Sequence, residues 1–140
     1  MTRTRNFLVY HLPVILYAGV IITLSSIPNL KPPPIKVLAA DKLAHFIEYG
    51  IFSFLAFKSF SVIGNSSSPN RTFLFAALFV CIFAVIDEYY QRFVPGRYFD
   101  IYDILTDLGG ALIVLVLLLV RMKRKRRLPV DRQTGKSGLL

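Results

Sequence analysis

The stretch Asp87–Gly110, DEYYQRFVPGRYFDIYDILTDLGG, sits between two almost wholly apolar runs, TFLFAALFVCIFAVI at 72–86 and ALIVLVLLLV at 111–120. It holds five carboxylates, two arginines and a glutamine. Counting residues decides whether this is a surface loop or something deeper. From Leu108 to Val120 there are 13 residues, roughly 20 Å of helix at about 1.5 Å per residue, well short of the roughly 30 Å hydrocarbon layer of a bilayer. If Arg121 marks one boundary of a spanning helix, Asp107 and Asp103 must lie below the opposite surface. Counting forward from Arg71 draws Asp87 and Glu88 into the last turns of the preceding helix, and counting back from Ile63 places Glu48 inside as well.

The whole chain agrees with a membrane setting. Of its 140 residues 54% are hydrophobic and the mean hydropathy is +0.55, yet the formal charge is +9. Such apolarity with concentrated basic charge points to an integral membrane protein rather than to a soluble core. The pattern predicts an all-α bundle of four transmembrane helices near Phe7–Ile27, Leu43–Ile63, Thr72–Gln91 and Ile101–Val120, each close to the roughly 20 residues a span needs. The first has Pro13 near its start. It is too long for a signal peptide, and SSIPNL lacks a small-x-small cleavage site. Residues 1–122 form one domain, and the basic segment 123–140 is expected to be a disordered tail. The lone Cys81 lies in an apolar run, where it can make no intrachain disulfide and is expected to serve helix packing.

The connections follow from turn chemistry. The proline run at 32–34 is expected to cross the surface as an extended segment, NSSSPNR at 65–71 as a polar turn, and VPGR at 94–97 as the turn between the last two helices. Charge then orients the bundle. Arg3, Arg5, Lys58, Arg71 and the cluster from Arg121 to Arg127 fall at one end, which the positive-inside rule makes cytoplasmic, with both termini. Asp41, Glu48, Asp87, Glu88, Asp100, Asp103 and Asp107 gather at the other end, leaving only Asp131 in the tail. The cell membrane is thus the expected location, with the proline run and the acidic end facing outward.

Helical periodicity at about 100° per residue groups these side chains. Asp41, His45 and Glu48 share one stripe of the second helix, Asp87 and Gln91 pair at i, i+4 on the third, and Asp100, Asp103, Asp107 and Gly110 share a stripe of the fourth. An ionisable group at the centre of a lipid-facing helix costs about 2.5–3.5 kcal/mol even on insertion scales, so the stripes are expected to converge inside the bundle. Arg97 is expected to reach over them from the loop, and Gly109 and Gly110 to allow close helix approach.

DKLAHFIEYG together with DEYYQRFVPGRYFDIYDILTDLGG resembles the VanZ-like membrane proteins. These share an Asp-Lys-x-x-His-x-x-x-Tyr element and a later Asp-Glu-x-x-Gln…Pro-Gly-Arg…Asp…Asn-x-x-Gly element. The match falls on Asp41, Lys42, His45 and Tyr49, then on Asp87, Glu88, Gln91, Pro95, Gly96, Arg97, Asp103 and Gly110. Asp107 stands where the family usually has Asn. The family takes its name from a protein linked to resistance against teicoplanin, a glycopeptide that binds cell-wall precursors at the outer membrane face. The resemblance implies a role in the envelope and supplies no reaction.

Plainer roles compete for the same residues. Asp41 and Asp100 can cap the second and fourth helices. Tyr89, Tyr90, Tyr98 and Tyr102 fit an interfacial aromatic belt. Lys42, Arg92 and Arg97 can simply neutralise carboxylates, and His11 has no evident role. The basic tail fits orientation and contact with anionic membrane lipids better than nucleic acid, which is not an expected partner. The buried acidic groups can form a purely structural network.

Three functional classes are compatible with the pattern. One is a pocket for an envelope lipid or cell-wall precursor, lined by Asp41, Lys42, His45, Glu48, Tyr49, Asp87, Glu88, Gln91, Arg97, Asp103 and Asp107. Another is an enzyme in which His45, with Asp87 or Asp103, moves protons near neutral pH; no serine or cysteine nucleophile lies in the stripes. The third is a metal or proton site around His45 and Glu48. One histidine among carboxylates is a weak zinc pattern and suits a hard cation better, so no cofactor and no metal ligand set is assigned. Binding is the favoured reading.

Overall fold

A computed structural model of the protein describes residues 3–28, 35–63 and 68–127, so the expectations for the proline run at 32–34 and for residues 128–140 lie outside the described residues. Four helices account for the fold, and no strand occurs among the described residues. The first, α1 (Leu12–Ser25), continues without a break from a short α-helical turn, Arg3–Asn6, and a π-helical stretch, Phe7–His11. It is followed by α2 (Ile35–Ser61), α3 (Pro69–Gln91) and α4 (Ile101–Arg127). The widened stretch ends two residues before Pro13, which has no N–H and whose ring crowds the carbonyl four residues back, at Val9; local π geometry is one way a helix absorbs that conflict.

Three of these helices are long and apolar enough to cross a membrane: Thr4–Ser25, Pro69–Gln91 and Ile101–Arg126. The second is just as long, at 27 residues, but carries Asp41, Lys42 and Glu48. It also begins earlier than expected. Because α2 starts at Ile35, Asp41 lies in its second turn and cannot be its N-cap. Proline next to a helix start is well tolerated, since the first N–H groups have no intrahelical partner anyway. At the other end of the chain α4 runs to Arg127, so the boundary expected at 122/123 falls inside a helix. Lys, Arg and Met are good helix formers, and cations suit the negative end of the helix dipole.

Neighbouring helices run antiparallel. Phe60 near the end of α2 meets Phe75 near the start of α3, while Lys42 in α2 meets Asp103 in the first turn of α4, making those two helices parallel. The turn between α3 and α4 closes at Gly96, whose φ of 81° favours glycine. A core of Ile21, Tyr49, Phe52, Ala56, Ala76, Val80, Ala84, Ala111 and Leu115 fills the centre. Phe52 anchors it, with Phe83 at a ring separation of 4.8 Å and Phe79 at 5.6 Å. On the outside, Leu74, Leu78, Ile82 and Ile86 of α3 and Leu105, Leu112, Leu117 and Val120 of α4 are exposed. A bundle that buries carboxylates and exposes leucines is built for hydrocarbon rather than for water.

Of the two adjacent glycines in α4, Gly110 sets the helix spacing. A Cβ there would collide with the backbone carbonyl of Phe46 in α2, whereas one on Gly109 would meet only the Phe46 ring, at 3.8 Å. Gly50 faces Gly110 and Val114 from the α2 side. Small residues of this kind let two helix backbones approach closely.

Candidate functional site

The buried stripe of α3 is apolar from Ala76 to Ala84 and turns acidic at Asp87 and Glu88. In α4 the same change occurs in the other direction, from Asp103 and Asp107 to Ala111 and Leu115. The polar cluster is therefore the continuation of the hydrophobic core at one end of the bundle. Periodicity demands this, because a stripe that packs inward at one level packs inward along the whole helix.

Lys42 links α2 to the start of α4, donating to Asp100 Oδ2 at 2.7 Å and also to Asp103 Oδ1. Asp100 caps α4 as expected, accepting from the Tyr102 N–H at 2.8 Å. Partial burial works against its charged form, but the hydrogen bond and charge of Lys42 and the Tyr102 N–H outweigh it, holding the carboxyl below its ordinary value of 3.8. The Asp100 N–H in turn donates to Glu88 Oε1 at 2.5 Å.

One turn deeper, His45 Nδ1 lies 3.0 Å from Asp107 Oδ1. An ionised carboxylate can only accept, so with Asp107 ionised the contact places a proton on Nδ1. Asp107 is 1% exposed. One oxygen from Asp41, one from Asp103 and a ring nitrogen of His45 come within 4.8 Å of one another. Asp87, on α3, accepts from Ser25 Oγ at 2.9 Å and, more distantly, from the Tyr49 hydroxyl at 3.4 Å.

Arg97 reaches back from the loop, donating through Nη1 to Gln91 Oε1 at 2.9 Å and through Nη2 to the Leu24 carbonyl at 3.0 Å. Its Nε is buried with no hydrogen-bond partner among the described residues, as are Glu48 Oε1, Asp87 Oδ1 and Glu88 Oε2. Of the cations weighed as charge neutralisers, only Lys42 contacts carboxylates directly. Arg92 lies over the Tyr89 ring, 5.4 Å from its centroid.

The three stripes thus meet at one end of the bundle. Asp41, Lys42, His45 and Tyr49 of α2 face Asp87 of α3 and Asp103 and Asp107 of α4, with Gln91 and Arg97 above. Glu48 is half-buried beside them. Sequence reasoning missed Ser25, which is 5% exposed, bonded to Asp87 and within 3.4 Å of Gln91 Nε2. A serine in the final turn of an apolar helix carries no periodic signal; its i, i+4 spacing from Ile21, the most buried residue of α1, is the only hint. His11 also has a structural role, with Nδ1 at 2.6 Å from Ser59 Oγ at the opposite end. Tyr89, Tyr90, Tyr98 and Tyr102 are all exposed, in keeping with an aromatic belt.

No curated protein and no solved structure matches the chain. A family model described as VanZ/LLP1 matches residues 4–122, a span that reaches into all four helices and holds every side chain of the cluster. With its paired sequence elements and its apolar, membrane-type exterior, the chain belongs to the VanZ/LLP1 family.

Proposed function

We propose that the polar end of this membrane bundle binds the anionic head group of an envelope lipid or cell-wall precursor, at the outer face of the cell membrane and with both termini cytoplasmic. The observation that carries this reading is Arg97. Its hydrogen bonds go to an amide oxygen and a backbone carbonyl rather than to a carboxylate, and its Nε is buried with no partner among the described residues. A guanidinium held in this way keeps its charge for a planar anionic group. Lys42 stands on the other side of the cluster, at the junction of α2 and α4. A link to glycopeptide resistance through such a ligand is part of the same proposal.

The test is saturable association of anionic envelope lipids with the protein in nanodiscs. Arg97→Ala should weaken it by about tenfold or more, the scale of losing a charge-assisted hydrogen bond. An envelope lipid extract from which nothing associates saturably would sink the reading. The contact between His45 and Asp107 favours a second reading, general acid–base chemistry on the bound lipid. Turnover of a purified lipid, lost in His45→Ala, would establish it; saturable binding without turnover would leave the protein a binding accessory.

A further inference from the structure

We propose that Asp41, His45 and Asp103 form a binding site for a divalent cation of the manganese or magnesium type. One ligand atom from each lies within 4.8 Å of the others. Two ligands on opposite sides of a cation stand roughly 4.2 Å apart for magnesium and a few tenths of an ångström more for a larger ion, so the three groups need only a small approach to close on one ion. Two carboxylates and one imidazole match a cation that accepts oxygen ligands and tolerates one nitrogen. The remaining positions are then taken by water or by a phosphate oxygen.

Two further features point to the same occupant. Asp107 fixes the His45 ring by accepting from Nδ1, the orientation that metal-bound histidines usually receive from a carboxylate behind them. Glu88 is 1% exposed, and its Oε2 has no hydrogen-bond partner among the described residues. Its other oxygen takes the Asp100 N–H, which ties the carboxylate to the residue that caps α4, three positions before Asp103. Among the described residues, Asp41, Glu48, Asp87, Glu88, Asp100, Asp103 and Asp107 share this end of the bundle with two fixed cations, Lys42 and Arg97. Buried carboxylates in such excess need countercharge, which a divalent ion supplies at the point where they converge.

This site does not depend on the lipid reading, because the ion is tested without lipid ligand. Purified protein in phosphate-free detergent is titrated with Mn2+ and followed by electron paramagnetic resonance. The expected result is saturable binding of one ion with a single imidazole nitrogen coupling. His45→Gln should remove that coupling, and Asp103→Asn should weaken binding about tenfold or more. Tyr98→Ala, at an exposed loop position, should change neither. His11 is at the far end against Ser59, so the wild-type coupling alone identifies His45 should a variant fail to fold. Absence of saturable binding below millimolar Mn2+, or bound Mn2+ without nitrogen coupling, would overturn the proposal, as would a coupling that survives in folded His45→Gln.

Discussion

Asp87 shows how much one side chain is asked to do at this level of the bundle. It takes a proton donor from α1 and another from α2 while itself belonging to α3. Replacing it with Asn keeps the volume and removes the charge, which separates a packing role from an electrostatic one. At matched membrane abundance, His45→Ala, Asp87→Asn and Asp103→Asn are expected to abolish the proposed association with anionic envelope lipids. Asp107→Asn should keep most of it, because an amide oxygen still accepts from His45 and the family usually has Asn there. Retention in all four would reduce the cluster to scaffolding. Asp100 allows a different measurement. Its folded-state pKa is depressed, so its stabilising contribution is present above the unfolded value near pH 3.9 and is lost as pH falls through the lower folded value. Because the group is partly solvated, the effect should be small. The stability difference in detergent between wild type and Asp100→Asn should therefore be present at neutral pH and disappear as the pH falls through the folded value, and a difference that grew towards acid would contradict this account.

At the scale of helices, the spacing of α2 and α4 rests on one missing methyl group. Phe46, which blocks a Cβ at Gly110, directly follows His45, and Gly110 lies one turn beyond Asp107. Gly110→Ala should push the helices apart, cost about 1–3 kcal/mol as overpacking and lengthen the His45–Asp107 contact. Gly109→Ala should be neutral or slightly stabilising, since alanine is the better helix former by about 1 kcal/mol. Thermal unfolding of both variants in the same detergent checks the pair, and equal effects would reject Gly110 as the close-contact residue. Helix placement was partly legible in the sequence. Long apolar runs identified the spans, and a 100° period gathered Asp41, His45, Asp103 and Asp107, because charged groups in hydrocarbon have few acceptable places to go. The ends of the helices were not legible. A start at Ile35, ahead of the apolar run, carries no apolar signal of its own, and a basic run read as disorder also suits a helix C-terminus. Ser25 escaped for a related reason: its importance comes from the partner it meets across the bundle and not from any pattern in its own helix.

The molecule as a whole is an apolar core with a polar cluster at one end, wrapped in exposed leucine, isoleucine, valine and phenylalanine. Its proposed orientation can be checked in a Cys81→Ser background. Tyr98→Cys, 80% exposed at the acidic end, should react with a membrane-impermeant thiol reagent in intact cells, and a tag after Leu140 should stay protected. The reverse pattern would invert the bundle. The arrangement also has a consequence for biosynthesis. The ion and hydrogen-bond partners of Lys42 and His45, namely Asp100, Asp103 and Asp107, are all translated after α2 itself. A nascent chain must hold the least apolar of its helices near the translocon until the last one emerges. Chains truncated at Val94 should therefore leave the second segment poorly inserted, as read by glycosylation mapping, and extension through Val120 should restore it.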